Sequence, residues 1–384
     1  MKKIGVDPKG IQIMQPKGIS YALKIKGISS AAANILKQEM LSRGGEVALP
    51  WQALNKPKSF VDILLFGTKN QYQHLINKIK IQPFQLQEVS YAIKNILNNI
   101  ENPCPKITIG SKTFNLAKKV LLMGILNITP DSFSDGGKYL TPASAVQRAH
   151  KLLKDGADII DLGAESSRPG AKEISAQEEL KRLVPVLQTL LKKTKAIISI
   201  DTTKALVAKK CLELGVHMIN DISGLKSDPQ MAKVVAKFNV PIILMHRSGK
   251  SKVMQKKTKY QDFISDLIAS LNQSIEIAQK AGIKKDKIII DPGIGFGKST
   301  AQNLEIFKRL SEFKSLGFPI LIGASRKSMI GNVLNLPIDQ RLEGSLALSA
   351  LAISNGANIL RVHDVKENAR VIKMCQAILQ TPRT

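Results

Sequence analysis

Between residues 120 and 363, eight short apolar runs each end at or near a residue that can hydrogen-bond or carry charge. Leu121 to Leu126 stops at Asn127, Ile159-Ile160 at Asp161, Ile197 to Ile200 at Asp201, and Met218-Ile219 at Asn220-Asp221. Ile242 to Met245 stops at His246, Ile288 to Ile290 at Asp291, Ile320 to Ile322 shortly before Ser325-Arg326-Lys327, and Ile359-Leu360 at Arg361. An ionised carboxylate only accepts hydrogen bonds, an Asn amide both donates and accepts, and a lysine ammonium only donates. Asp201, Asn220, Asp291 and Lys327 can therefore together satisfy the edge of a flat heterocycle with several N–H donors. Arg361 offers a planar fork suited to phosphate, and His363, two residues on, falls on the same side of a strand that continues into its loop. Each residue alone admits a plainer reading. Asp291 before Pro292 can be a turn residue, Asp201 before Thr202 a helix cap, and Arg361 the partner of a structural carboxylate. Four such residues at four run ends make the plainer reading weak for the set.

Runs of this kind are strands buried on both faces, the mark of a parallel sheet. Eight of them separated by helical segments predict an α/β fold, a TIM (β/α)8 barrel, whose active face is formed by the C-terminal strand ends. Helix starts between the runs are well punctuated. Thr141-Pro142 and Asp228-Pro229 each offer an N-cap followed by proline, Ser175 with Glu178 matches a capping box, and residues 260 to 281 carry Ile264, Leu267, Ile268, Leu271, Ile275 and Ala278 on one stripe.

A chain of 384 residues has room for one barrel of about 250 residues and a smaller domain. The expected division is 1–104, a small α/β domain of unassigned role, and 105–384, the barrel, with Asn102-Pro103-Cys104-Pro105 as linker. In the first part, Ile19 to Ile25 and Val61 to Phe66 read as strands. Helices are expected at about 31–42 after Ser29-Ser30, along Tyr72, Leu75, Ile76 and Ile79, and along Ile93, Ile96, Leu97 and Ile100. Trp51 and His74 stand alone there, as packing and surface residues. A hairpin from Ile107 to Phe114, turning at Gly110-Ser111, leads into the barrel.

Fifty-seven Lys and Arg against 30 Asp and Glu give a formal charge of +27, which favours anionic partners. The lysines are scattered over helix faces and aromatics are only 4% of residues, so stacking platforms for nucleic acid are hard to build and no nucleic-acid partner is expected. Cys104, Cys211 and Cys375 have no metal-like spacing and an odd count, which suits a reducing, cytoplasmic setting. Met1-Lys2-Lys3 is followed by no apolar signal region, and there is no run of 18 apolar residues, so neither export nor membrane insertion is expected.

The loops after the runs carry a denser pattern. They read Leu126-Asn127-Ile128-Thr129-Pro130-Asp131-Ser132-Phe133-Ser134-Asp135-Gly136-Gly137, then Gly163-Ala164-Glu165-Ser166-Ser167-Arg168-Pro169-Gly170, then Ser325-Arg326-Lys327-Ser328, then Arg361-Val362-His363-Asp364. Over about residues 105 to 380 the chain resembles the dihydropteroate synthases, folate-pathway transferases that join p-aminobenzoate to a dihydropterin diphosphate with release of diphosphate. The resemblance implies a pterin pocket of Asp201, Asn220, Met245, Asp291 and Lys327, and a diphosphate site of Asn127, Arg361 and His363. Asn127 would also be the Mg²⁺ ligand. Around aminobenzoate it places Phe133, Asp135, Ser167, Arg168, Pro169, Phe296, Lys327 and Ser328, with Asp135, Asp201, Asp291 and Lys327 closest to the chemistry. It also implies a homodimer. Loss of diphosphate from a carbon on an electron-rich ring suits an SN1-like path.

Two departures from the family pattern stand out. Ser167 replaces a usual threonine, keeping the hydroxyl and losing a methyl, which bears on the fit of aminobenzoate and of competing sulfonamides. Arg247 stands where a neutral residue is common, and its role is open. Gly293-Ile294-Gly295-Phe296-Gly297-Lys298-Ser299 imitates a phosphate loop but has only three residues between Gly293 and Gly297-Lys298-Ser299 where four are needed. Two rival readings exist: a pterin-binding methyltransferase on the same barrel, which leaves the first loop unexplained and releases no diphosphate, and a nucleic-acid-binding protein with a relic barrel, for which residues 1 to 104 would bind RNA or DNA near physiological salt.

Overall fold

The computed structural model describes residues 1–56, 58–102, 106–128, 142–165, 173–249 and 259–381. They form two compact units, Met1–Glu101 and Asn102–Thr384.

In the first unit, strands β1 (Ser20–Ser29), β2 (Glu46–Ala48) and β3 (Phe60–Thr68) make an antiparallel sheet in the order β1-β3-β2. Val61, Ile63 and Leu65 are buried while Phe60 and Phe66 beside them are exposed, the alternation expected of a strand covered on one face. Helix α1 (Pro8–Met14) buries no residue, and the covering helices are α2 (Ser30–Leu41), α3 (Gln52–Asn55), α4 (Lys69–Ile79) and α5 (Leu86–Glu101). Leu36, Met40, Tyr72, Leu75, Ile79, Leu86 and Ile93 fill the core beneath them. The Ser29 hydroxyl accepts from the Ala32 amide to start α2, and Thr68 with Gln71 forms a complete capping box on α4.

The second unit begins with the hairpin β4 (Lys106–Ile109) and β5 (Lys112–Asn115). Eight parallel strands follow: β6 (Leu121–Asn127), β7 (Ile159–Gly163), β8 (Ile197–Asp201), β9 (Met218–Asp221), β10 (Ile242–Met245), β11 (Ile288–Asp291), β12 (Leu321–Ile322) and β13 (Ile359–Val362). They run in the order β11-β10-β9-β8-β7-β6-β13-β12, and a parallel bridge from Ile290 to Ile320 joins the two ends. The sheet is thus the (β/α)8 barrel that the apolar runs predict. Outside it lie α6 (Pro142–Lys154), α7 (Ala176–Lys193), α8 (Ala205–Glu213), α9 (Met231–Phe238), α10 (Phe263–Lys280), α11 (Thr300–Lys308), α12 (Ser328–Leu334), α13 (Leu342–Ser354) and α14 (Val365–Gln380).

Two apolar layers result. Helix stripes pack on the outward strand residues, with Ile264, Leu267, Leu271, Ile275 and Ala278 of α10 all buried there. Inside, Leu121, Ile159, Ile197, Met218, Ile243, Ile289, Leu321 and Ile359, one from each strand, share a cluster with Ile107 and Ile109 of the hairpin. The hairpin packs among residues at the starts of the strands, so the other rim carries the polar chemistry.

One expected cap has a second use. Ser175 caps α7 as predicted, and Asp228 serves two helices: its Oδ1 accepts from the Gln230 amide at 3.0 Å just before α9, which begins at Met231, while its Oδ2 accepts from the Ala205 amide at 2.8 Å, capping α8 from a different loop. Among the described residues no helix is long and apolar enough to cross a membrane.

Candidate active site

The register of the barrel brings the first polar residues together. Asn127 pairs with Gly163, Gly163 with Asp201, and Asp201 with Asn220, so four successive strands place one residue each on a single rung. Gly163 keeps that rung open: a Cβ there would stand 3.5 Å from Asp201 Cβ and 3.7 Å from Asn127 Oδ1. Three residues of this rung can therefore project polar groups into one small volume.

Arg361 reaches the same place from β13. Its Nε donates to Asp161 Oδ2 at 2.6 Å and its Nη2 to Asp201 Oδ2 at 2.8 Å, while Asn220 Nδ2 donates to Asp161 Oδ2 at 3.1 Å. The plainer reading of Arg361 as a carboxylate partner is thus part of the answer, and the carboxylates it holds belong to the cluster itself. Asp161 is fully buried, and its Oδ1 has no hydrogen-bond partner among the described residues. Asp161 ends one of the apolar runs, yet the sequence alone assigns it no role. The signal is present, because an acid inside a strand buried on both faces demands a partner.

Asp291 closes β11 opposite Met245 of β10, and both are buried. Asp291 Oδ1 accepts from the Gly293 amide at 2.7 Å, the turn role that its neighbour Pro292 suggests. Lys327 donates to the Ile294 carbonyl, and its Nζ lies 4.4 Å from the centroid of the Phe296 ring. His363 shares the Ser325 hydroxyl at 3.2 Å through both its backbone N–H and Nδ1. Ser328 opens α12 and is exposed. Arg326, with a left-handed backbone, forms a two-pronged pair with Asp364 at 2.9 and 2.5 Å, turning away from the cluster while its neighbour Lys327 joins it. Asp221 is not part of the site: both its oxygens are taken at 2.8 Å by the Ser223 and Leu225 amides. Phe133, Asp135, Ser167, Arg168 and Pro169 lie outside the described residues.

Burial sets the protonation of this cluster. It pushes Asp201 up to about 7, with Arg361 opposing and Asp161 adding to the rise. Asp291 is raised for the same reason, against the Gly293 amide and Lys327. Lys327 is pulled down to about 8, with Asp291 resisting, and His363 down to about 4, so the imidazole is neutral near pH 7. Beside the rung, Lys204 joins Glu165, the last described residue before the second loop, to the fully buried Glu179 at 2.7 Å. That triad pins the loop's stem.

Among the described residues no group of three His, Cys, Asp or Glu could hold a metal ion. A single exposed amide oxygen at Asn127 suits only a hard cation that keeps its waters and borrows substrate oxygens, which is the habit of Mg²⁺.

Residues 123–363 match the family described as pterin binding enzyme. The chain belongs to that family. Among its pterin-binding relatives, the dihydropteroate synthase of Clostridium beijerinckii is 48% identical over 273 residues, covering 71% of this chain and 99% of that protein. A probable bifunctional folylpolyglutamate synthase/dihydropteroate synthase of Halobacterium salinarum is 38% identical over 378 residues. That match takes in 98% of this chain, first unit included, while the chain spans 45% of the halobacterial protein. Among solved pterin binding enzymes, the Clostridium difficile dihydropteroate synthase crystallised in the presence of pteroic acid superposes with a TM-score of 0.66 at 46% identity, covering 70% of this chain and 100% of that one. The Yersinia pestis dihydropteroate synthase in complex with a sulfonamide drug gives 0.69 at 43% identity, covering 72% and 100%.

Proposed function

We propose that the barrel is a dihydropteroate synthase, a folate-pathway transferase that condenses 6-hydroxymethyl-7,8-dihydropterin diphosphate with p-aminobenzoate to give 7,8-dihydropteroate and diphosphate. The observation that carries this reading is the convergence of Asp161, Asp201, Asn220 and Arg361, from four separate strands, into one hydrogen-bonded cluster at the barrel's C-terminal rim. Asp291 and Lys327 interact electrostatically with Arg361 of this cluster, and Lys327 with Asp201 as well. A pterin edge offers several N–H donors and ring acceptors. Asp201, Asn220 and Asp291 supply the complementary acceptors, the Asn220 amide and Lys327 the donors, and Met245 an apolar wall.

In the reaction, the bond from the pterin's exocyclic CH₂ to oxygen breaks with its electron pair going to diphosphate, and the aminobenzoate nitrogen then forms the new C–N bond and gives up a proton to solvent or the departing diphosphate. Positive charge develops on the pterin as the bond stretches. Asp201 and Asp291 are fixed by hydrogen bonds before any charge appears, so they stabilise it without reorganising. Arg361, its plane held by two carboxylates, meets the diphosphate already oriented, and neutral His363 contributes a hydrogen bond more than a charge. Asn127 would hold Mg²⁺, whose charge offsets that of the leaving diphosphate when bound. Aminobenzoate would lie against Phe296 beside Lys327 and Ser328, covered by Phe133 and Asp135 of the first loop and by Ser167, Arg168 and Pro169 of the second.

The barrel is further read as half of a homodimer. Helix α13 carries apolar side chains beyond its buried face: Ser345, Ser349, Ala352 and Ile353 are buried, yet Leu351 is exposed. Val333, Leu334 and Ile338 on one side of it, and Met374 and Ile378 on α14, are exposed as well. Such a surface suits a second copy of the chain.

The direct test mixes enzyme, Mg²⁺ and both substrates and follows diphosphate. Release that requires p-aminobenzoate is expected. Release with neither dependence on p-aminobenzoate nor formation of dihydropteroate would remove the assignment.

A further inference from the structure

The false phosphate loop after β11 has an unexpected interior. Its glycines at 293, 295 and 297 have φ of +74°, +81° and +67°, a left-handed backbone that other residues resist. Two of them are also crowded: a Cβ at Gly293 would stand 1.9 Å from the His246 carbonyl oxygen, and one at Gly295 would stand 2.9 Å from Lys327 Cδ. In a phosphate loop the backbone N–H groups gather around an anion. Here the carbonyls are gathered instead. Lys298 donates to the Gly293 oxygen at 2.8 Å and the Phe296 oxygen at 3.0 Å, Lys327 donates to the Ile294 oxygen, and the Tyr260 hydroxyl donates to the Gly297 oxygen at 3.1 Å.

Burial pulls Lys298 down to about 7, with Asp291 resisting, and it is the acceptors around Nζ that favour the ammonium form. Besides those two carbonyls, Nζ lies 3.0 Å from His246 Nδ1, with the His246 carbonyl a weaker fourth contact at 3.4 Å. Burial drives His246 down to about 2, so its ring is neutral and Nδ1 can present a lone pair. An ammonium has three N–H groups for three close acceptors, whereas a neutral amine has only two. Lys298 is 8% exposed, so water does not supply alternatives. On its far side the loop is held by Asn303, whose Oδ1 accepts from the Gly295 amide at 2.7 Å.

We propose that Lys298 is a positioning residue whose ammonium is the internal cation around which residues 292–297 are wrapped, and that through this loop it sets Phe296 and Lys327 for p-aminobenzoate. The proposal rests on the function read above. Of the four polar contacts assigned to the pterin, those of Asp201 and Asn220 sit on other strand ends, Asp291 sits before the loop and accepts from its Gly293 amide, and Lys327 leans on the Ile294 carbonyl. Phe296, by contrast, is a loop residue. Losing the ammonium should therefore weaken aminobenzoate far more than the pterin.

The test uses the full chain, with wild-type turnover measured first so that failure of the function itself is seen separately. In Lys298→Met, KM for p-aminobenzoate should rise about tenfold or more while pterin affinity by calorimetry changes by less than about threefold. Lys298→Gln, which keeps two donors, should recover part of the loss. An unchanged KM in a folded Lys298→Met protein, or equal loss of both ligands, overturns the proposal. Should neither variant fold, nitrogen-15 spectra of lysine-labelled Lys327→Met protein near pH 6 decide it. An ammonium signal that persists after surface lysines have exchanged is expected, and its absence overturns the proposal.

Discussion

At the scale of single residues, the site is a balance between burial and pairing. Asp201 shows it most clearly, since burial moves its carboxyl from 3.8 to about 7 even with Arg361 at 2.8 Å. A folded-state pKa raised in this way has a definite sign in linkage: the folded protein keeps a proton that the unfolded chain has already lost. The stabilisation is complete below the unfolded value and is lost as pH rises through the folded one. Wild type should therefore lose stability relative to Asp201→Asn between about pH 4 and about pH 7 in urea titrations, and a constant difference would contradict the assignment. The residues that sequence alone made visible are those at strand ends, because strands buried on both faces carry their polar groups mainly there. Asp161 and Lys298 stayed hidden for a common reason. Their importance lies in partners 200 and 52 residues away, Arg361 and His246, which no local pattern encodes.

At the scale of elements, the barrel was legible because strands buried on both faces must be apolar and must stop abruptly. The caps were less so. Asp228 holds the Gln230 amide before its own helix, as its type and spacing suggest, but its other oxygen also caps α8 at the Ala205 amide, a contact made by tertiary proximity. In the first unit, β2 is only three residues long, Glu46–Ala48, too short to show a period, and its place beside β3 could not be read from the chain. Glycines separate in the same way by surroundings. Gly282 has φ of +94° and nothing within 4 Å of the point where a methyl carbon would stand, so Gly282→Ala should cost about 1 kcal/mol through backbone strain alone. Gly293→Ala must also displace the His246 carbonyl and should cost about 3 kcal/mol or more. Thermal melts of the two variants check this, and equal losses would show that the loop after β11 relaxes freely.

At the scale of the whole molecule, a basic protein with a charge of +27 carries a rim that must receive anionic substrates, while Leu351 of α13 is exposed on the outer layer. Replacing Leu351 by Lys should convert a dimer to a monomer in light scattering while leaving the melt little changed; a wild type already monomeric would dismiss the pairing through α13. The most direct test of the account as a whole is calorimetry of the full chain with a pterin diphosphate analogue and Mg²⁺, comparing wild type with Asp201→Asn. Replacing a carboxylate acceptor by an amide should weaken binding by about 10- to 100-fold with the protein still folded. Undiminished affinity in the variant would mean that the rung shared by Asn127, Asp201 and Asn220 is not where the pterin is held.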